Sequence, residues 1–152
     1  MRPPSIVNFE RCYLGSFAIW LLNTLAFWPA LTAAMRANPA VARLSPAFAP
    51  TVLGIGIVLV SAITLLLWYF TARTGSLVAK WIVTIFFAFS AIPAFYGLAV
   101  AMRPMTPQGI GNLVSIALNA VAVWMLFRAD ARLWFAARNA DVPVGRNEEM
   151  PL

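Results

Sequence analysis

Four long apolar runs constrain this chain more than any other feature, because none of them carries a charged residue in its central part. A helix needs about 20 apolar residues to cross the hydrocarbon core of a bilayer, and each run is long enough. Short segments that contain proline, glycine and arginine separate the runs. The sequence therefore predicts four membrane-spanning helices, at residues 13–34, 50–71, 79–102 and 109–128.

The composition favours a membrane protein over a soluble domain. Hydrophobic residues make up 62% of the 152 residues and charged residues 11%, whereas soluble domains contain about 45–50% and about 25%. A soluble fold of this size has too little interior to bury so much apolar surface, so we expect the excess to face the lipid bilayer. The predicted fold class is an all-α membrane protein, a four-helix transmembrane bundle with short loops and antiparallel neighbours.

Residues 1–137 are predicted to form this single transmembrane domain, and residues 138–152 a disordered cytoplasmic tail rich in polar residues. The first apolar run is longer than the 7–15 apolar residues of a signal peptide and contains Trp20 and Trp28, so we expect it to be retained. A cleaved signal is the alternative, and it would leave three spans in the same orientation.

The basic residues predict the orientation of the bundle. Eight of the 11 Lys and Arg residues fall on the side of the two termini and the second loop, and three fall on the other side. Cytoplasmic segments of membrane proteins carry this excess, so both termini are expected in the cytoplasm. The net charge of +6 then reflects membrane topology, and no nucleic-acid partner is expected.

The segments that flank the spans have amphipathic spacing. Ile6, Phe9 and Tyr13 share one helical face before the first span, and Trp134 and Phe135 share one after the fourth. Such segments lie in the headgroup layer of many membranes, which is the expectation for both. For the second segment, a frayed extension of the fourth helix is the alternative.

Polar residues inside the spans are the best indicators of function in such a chain. The middle of each predicted span holds one of them, and these form a candidate polar layer at one depth: Asn23, Ser61, Ser90 and Asn119. Small polar residues also serve as contacts between helices, so packing and a binding pocket are both open. Pro93 predicts a helix kink in the third span, because proline lacks an N–H group and clashes with the preceding turn.

The chain lacks the groups that membrane enzymes need. It has no histidine, which is the commonest general base and metal ligand. Cys12 is its single cysteine, so no intrachain disulfide is expected. We therefore predict no catalytic residue, no metal site and no cofactor.

Two short segments near the start, PPSIV (Pro3–Val7) and FERCYLGS (Phe9–Ser16), lead into the first span, and DARLWF (Asp130–Phe135) follows the last. Together they resemble the ends of an uncharacterised group of small four-span proteins of the bacterial inner membrane. Cys12 departs from that pattern, which has an aliphatic residue there. The resemblance implies four spans and an inner-membrane location, and it implies no activity.

The sequence favours a non-enzymatic integral membrane protein that acts as a structural or accessory element, packed against lipid, a membrane protein partner or a second copy. The alternative is a small oligomeric transporter, or a bundle that binds a solute or lipid through the polar layer. An aqueous cavity that reaches Asn23 and Asn119 would favour the alternative. A dry, closed interior would favour the accessory element.

Overall fold

The computed structural model describes residues 2–100 and 106–140, without the side chains of residues 93–95 and 97–100. Every regular element in these ranges is helical, so the all-α prediction is confirmed there. The helices are α1 (Pro4–Ala26), α2 (Trp28–Arg36), α3 (Pro39–Ala42), α4 (Phe48–Tyr69, followed by a π-helical turn at Phe70–Thr74), α5 (Leu77–Val100), α6 (Pro107–Met125) and α7 (Ala129–Ala140).

Two helices in the described ranges are long and apolar enough to cross a membrane, namely Phe48–Thr74 and Pro107–Met125. The pair Pro4–Ala26 and Trp28–Arg36 qualifies only when taken together, and it is bent by 65°. In α5 the stretch Leu77–Ile92 is apolar but shorter than a span. The structure thus contains two or three candidate spans, which is compatible with an integral membrane protein but fewer than the four predicted.

The first helix begins earlier than predicted and then breaks. It starts at Pro4, because proline at the first helical position has its backbone angle already set and needs no N–H partner. The break follows at Phe27, with Pro29 near the start of α2, because a proline ring clashes with the carbonyl four residues before it. The predicted span 13–34 is therefore two helices.

Helices α1 and α6 run antiparallel, as three hydrogen bonds of α1 with α6 and α7 demonstrate. Ser5 contacts Asp130, Ser16 contacts Ser115, and Asn23 contacts Gln108, so the partner's number falls as the residue number in α1 rises. On the other side of α1, Glu10 pairs with Arg73 just after α4. The helices α1, α4, α5 and α6 form a ring, in which α1 and α6 have the most extensive contact.

The best-packed part of the protein is the end of the ring where α1 begins, which we call the α7 end. Ile6 and Phe9 of α1 are fully buried there, and Phe135 of α7 is 1% exposed. The two amphipathic segments therefore contact each other and the bundle, so protein covers these three side chains. The depth of the two segments in the membrane stays a prediction. A turn at Leu126–Arg128 separates α7 from α6, so α7 is no frayed extension.

Gly75 positions α7 against the rest of the bundle. Its φ of 75° is left-handed, which glycine adopts without a steric penalty. The carbonyl of Gly75 accepts a hydrogen bond of 3.1 Å from Asn139 Nδ2, and a Cβ at this position would lie 3.2 Å from the Trp134 ring. The helix continues to Ala140, three residues into the segment predicted as a tail, and residues 141–152 lie outside the described ranges.

Candidate functional site

The four residues of the candidate polar layer do not lie at one depth. Asn23 faces Gln108 and Asn112 across the antiparallel pair α1 and α6. Asn119 lies three turns beyond Gln108 on α6. A rise of 1.5 Å per residue puts the two residues about 16 Å apart along the helix axis. The two asparagines therefore belong to different levels of the bundle, and a single shared layer does not form.

At the level of Asn23, two hydrogen bonds join α1 to α6. Asn23 Nδ2 donates to the Gln108 carbonyl at 3.1 Å and to Asn112 Oδ1 at 2.9 Å. The approach depends on Gly111, because a Cβ there would lie 2.7 Å from Asn23 Oδ1. These two hydrogen bonds and the close approach at Gly111 hold α1 against α6.

A second contact between α1 and α6 joins Ser16 and Ser115. Ser16 Oγ donates to the Ser115 carbonyl at 2.8 Å, and Ser115 Oγ lies 2.9 Å from the Ser16 carbonyl. Both residues are buried. Small hydroxylated residues with reciprocal bonds are typical of helix packing in membranes, so this pair has a clear structural role.

A cavity of about 290 Å³ lies beside the serine pair, between α1, α4, α5 and α6. Its wall is mainly aromatic and aliphatic, with a few neutral polar side chains. The lining residues are Tyr13, Ser16, Phe17, Trp20, Val60, Ile63, Thr64, Leu67, Val83, Phe86, Phe87, Ser90, Ser115, Ile116 and Asn119.

Two of the four predicted polar residues, Ser90 and Asn119, line this cavity, whereas Asn23 and Ser61 do not. Ser90 Oγ donates to the carbonyl of Phe87 in its own helix at 2.8 Å. Asn119 Oδ1 is buried and has no hydrogen-bond partner in the described part of the chain. The side chain of Pro93 lies outside the described residues, so the kink there stays a prediction.

The cavity has the chemistry of a site for a neutral molecule. None of the described residues that line it is charged. It is open on one side, since Ile63 of α4 and Phe86 of α5 are 47% and 55% exposed although both line it. A buried carbonyl oxygen without a donor is costly, and a ligand that brings an O–H or N–H group would satisfy Asn119.

The aromatic wall of the cavity lies outside the predicted polar layer. Tyr13, Phe17 and Trp20 all belong to α1, and the rings of Phe17 and Trp20 stack at 6.0 Å between centroids. The signal was present, because positions separated by four and three residues share one helical face. The candidate polar layer was chosen from polar residues alone, so it did not include the aromatic residues of that face.

The ion pairs among the described residues lie at the α7 end. Glu10 pairs with Arg2 at 2.7 Å and with Arg73 at 3.0 Å. Asp130 accepts a hydrogen bond from the Ser5 backbone at 3.2 Å, and hydrogen bonding from Ser5 lowers the pKa of this carboxyl. These contacts join α1 to α4 and α7 and lie apart from the cavity.

Within the described ranges, no three His, Cys, Asp or Glu side chains lie close enough together to hold a metal ion. The cavity and its unpartnered amide oxygen are thus the features of this structure that bear most directly on function. No protein-family model, no curated protein and no solved structure matches this chain.

Proposed function

We propose that this chain is a non-enzymatic, four-span integral membrane protein that binds a small neutral amphipathic molecule in the cavity between α1, α4, α5 and α6. The observation that carries the proposal is the buried Asn119 Oδ1, which accepts no hydrogen bond from any described residue. Asn119 lines a cavity whose other side chains are mainly apolar. Ligand sites in proteins combine an apolar wall with a few such polar groups. The cavity, at about 290 Å³, lies at the small end of their usual size.

Four spans require that α5 and the bent pair α1 and α2 each cross the membrane. Support comes from the length of α5, 24 residues, and from its exposed apolar side chains such as Phe89, 69% exposed, and Ile92, 63% exposed. Exposure of so many apolar side chains to water would be unfavourable. Lipid contact explains them, and antiparallel neighbours in the ring suit an up-and-down bundle.

We further propose a bacterial inner-membrane location with the α7 end in the cytoplasm. Basic side chains at this end stack on aromatic rings: Arg73 on Trp68, Lys80 on Phe127 and Arg138 on Trp134. Basic residues mark the cytoplasmic side and aromatic residues mark the membrane interface. Both features therefore support this orientation.

The orientation predicts the outcome of fusions with a reporter that is active only in the periplasm. A fusion after Leu152 should be inactive, because the excess of basic residues holds that end in the cytoplasm. An insertion near Ala40, in the short helix α3 before α4, should be active. The opposite pattern would contradict the orientation, and activity at both sites would contradict an even number of spans.

The ligand proposal predicts where a photoreactive probe should react. A diazirine derivative of 1-octanol has one hydroxyl group for Asn119 Oδ1 and a chain for the aromatic wall. In the purified protein it should label residues that line the cavity, and excess octanol should compete. Ile116→Trp should reduce this labelling at least tenfold, because the indole ring fills the space that the probe needs.

Val114→Trp is the matched control, since Val114 lies on the same helix, is 45% exposed and does not line the cavity. It should leave the labelling unchanged. Asn119→Leu should weaken labelling by the alcohol but not by the corresponding diazirine-bearing alkane, because only the alcohol donates a hydrogen bond. Equal labelling in the Ile116→Trp and Val114→Trp variants would overturn the proposal.

That negative result would favour the other candidate, a structural or accessory element that packs against a membrane protein or a second copy. The Ser16 and Ser115 pair supports this candidate, because both hydroxyl groups donate between helices and leave no O–H donor for a ligand. The unpartnered oxygen of Asn119 is what favours ligand binding over packing alone.

A further inference from the structure

Lys80 is a buried cation at the α7 end, in the first turn of α5. Only 6% of its surface is exposed. Its Nζ lies 4.3 Å from the centre of the Phe127 ring and 5.1 Å from that of Phe135. The faces of aromatic rings attract a cation, but they do not neutralise it. A buried charge is normally paired, so the absence of a counter-ion among its described neighbours points to a ligand.

The described carboxylates are both engaged elsewhere. Glu10 is held by Arg2 and Arg73 at 2.7 Å and 3.0 Å. Asp130 accepts the hydrogen bond from Ser5 and lies 4.0 Å from Arg128. Among the residues that the structure describes, no carboxylate therefore pairs with Lys80.

A second positive charge lies next to the first. Arg132 is exposed and lies one turn before Phe135 on α7, and residues three apart are neighbours on a helix surface. Because the Phe135 ring lies 5.1 Å from Lys80 Nζ, Arg132 belongs to the part of α7 next to Lys80. Trp81, 56% exposed, follows Lys80 in the chain, and its ring contacts the edge of Phe127 at 5.9 Å between centroids. Two cations beside an interfacial tryptophan form an environment suited to an anion in the headgroup layer.

The residue types favour a phosphate group as that anion. Lysine supplies a compact point charge, and arginine supplies two parallel N–H donors that match the oxygens of a phosphate. Beyond Lys80, the exposed residues Ile85 and Phe89 of α5 continue as an apolar surface. A molecule with both a phosphate and acyl chains would use the two features together.

We propose that Lys80 and Arg132 bind the phosphate group of an anionic phospholipid at the cytoplasmic surface. The inference rests on the proposed passage of α5 through the membrane, and it is independent of the cavity ligand. The phosphate lies between the two cations, and the acyl chains follow α5 into the bilayer. This lipid would also stabilise the contact of α7 with α5, because Lys80 and Arg132 belong to these two helices.

The test uses the full-length protein in mild detergent, depleted of lipid and then titrated with phosphatidylglycerol or phosphatidylcholine, with bound lipids counted by native mass spectrometry. The wild type should bind phosphatidylglycerol more tightly. Lys80→Gln and Arg132→Gln should each weaken that binding about fivefold, the effect of one basic residue near an anionic membrane surface. Binding of phosphatidylcholine should not change.

Two further variants separate the site from general effects. Lys80→Arg keeps the charge and should keep most of the affinity, so a loss seen only in Lys80→Gln is not a folding defect. Arg43→Gln removes one charge from an exposed residue on the other side of the predicted membrane and should change nothing. An equal loss in Arg43→Gln, or unchanged affinity in Lys80→Gln, would overturn the proposal.

The same titration distinguishes the source of the phosphate. Excess inorganic phosphate should not displace phosphatidylglycerol, because it lacks the acyl chains; full displacement would assign the site to soluble phosphate and overturn the lipid. Asp141→Asn and Glu149→Gln remove acidic residues that follow α7 and should have equal, small effects. If Asp141→Asn alone raised the affinity, a carboxylate of the chain itself would be the counter-ion and the proposal would be wrong.

Discussion

Replacing Phe135 with alanine is expected to detach α7 from the bundle. Phe135 is 1% exposed and packs with Ile6, Phe9 and Leu126 in the core of the α7 end. Truncation of a buried phenylalanine costs about 3–5 kcal/mol, more than the few hydrogen bonds of α7 supply. The measurement is the rate of tryptic cleavage after Arg132, which should rise about a hundredfold or more if cleavage follows the population of the detached helix.

Leu133→Ala is the control on the same helix, because Leu133 is 73% exposed. If α7 is held by the protein core, this variant should be cleaved at the wild-type rate. If α7 were held by the membrane surface instead, Leu133 would be the anchor, and its loss would accelerate cleavage more than the loss of Phe135. That result would contradict the packing described for the α7 end.

Phe135 is covered by protein and Leu133 is exposed, a difference that the sequence predicts only in part. Amphipathic spacing correctly placed Ile6, Phe9 and Tyr13 on one helical face. Such spacing identifies a face, but it does not say whether protein or lipid covers it. The cover is α7, which lies 125 residues away at the contact between Ser5 and Asp130, and no local pattern links the two segments.

The apolar runs were more informative, because lipid leaves a crossing chain few alternatives to a helix. The start of the first helix was missed, since Pro3 and Pro4 resemble a turn in sequence although Pro4 begins α1. That error moved the predicted midpoint of the span, and so the predicted depth of Asn23. Candidate site residues that are chosen by their predicted depth in the membrane carry the same error. The cavity depends on side-chain packing, which the spacing of residues in the sequence does not predict.

Replacing Gly111 with isoleucine is expected to force α1 and α6 apart. A Cβ at this position would lie 2.7 Å from Asn23 Oδ1 and 2.8 Å from its Cγ, distances that packed atoms do not adopt. Inserting a large side chain into a filled site costs about 1–3 kcal/mol, and each lost hydrogen bond between membrane helices costs about 0.6 kcal/mol more. The free energy of unfolding in detergent should fall by the combined amount.

Gly15→Ile is the matched control, because a Cβ at Gly15 in α1 would have nothing within 4 Å, while the gain in helix propensity on replacing glycine is the same. A double-mutant cycle with the smaller change, Gly111→Ala, isolates the contact itself. In the wild-type background, Gly111→Ala displaces the Asn23 amide from Gln108 and Asn112 and should destabilise the protein. In an Asn23→Ala background the collision is absent, and the same change should be neutral or stabilising, because alanine favours helix over glycine by about 1 kcal/mol. Additive effects would mean that Gly111 and Asn23 act independently, which the 2.7 Å approach does not permit.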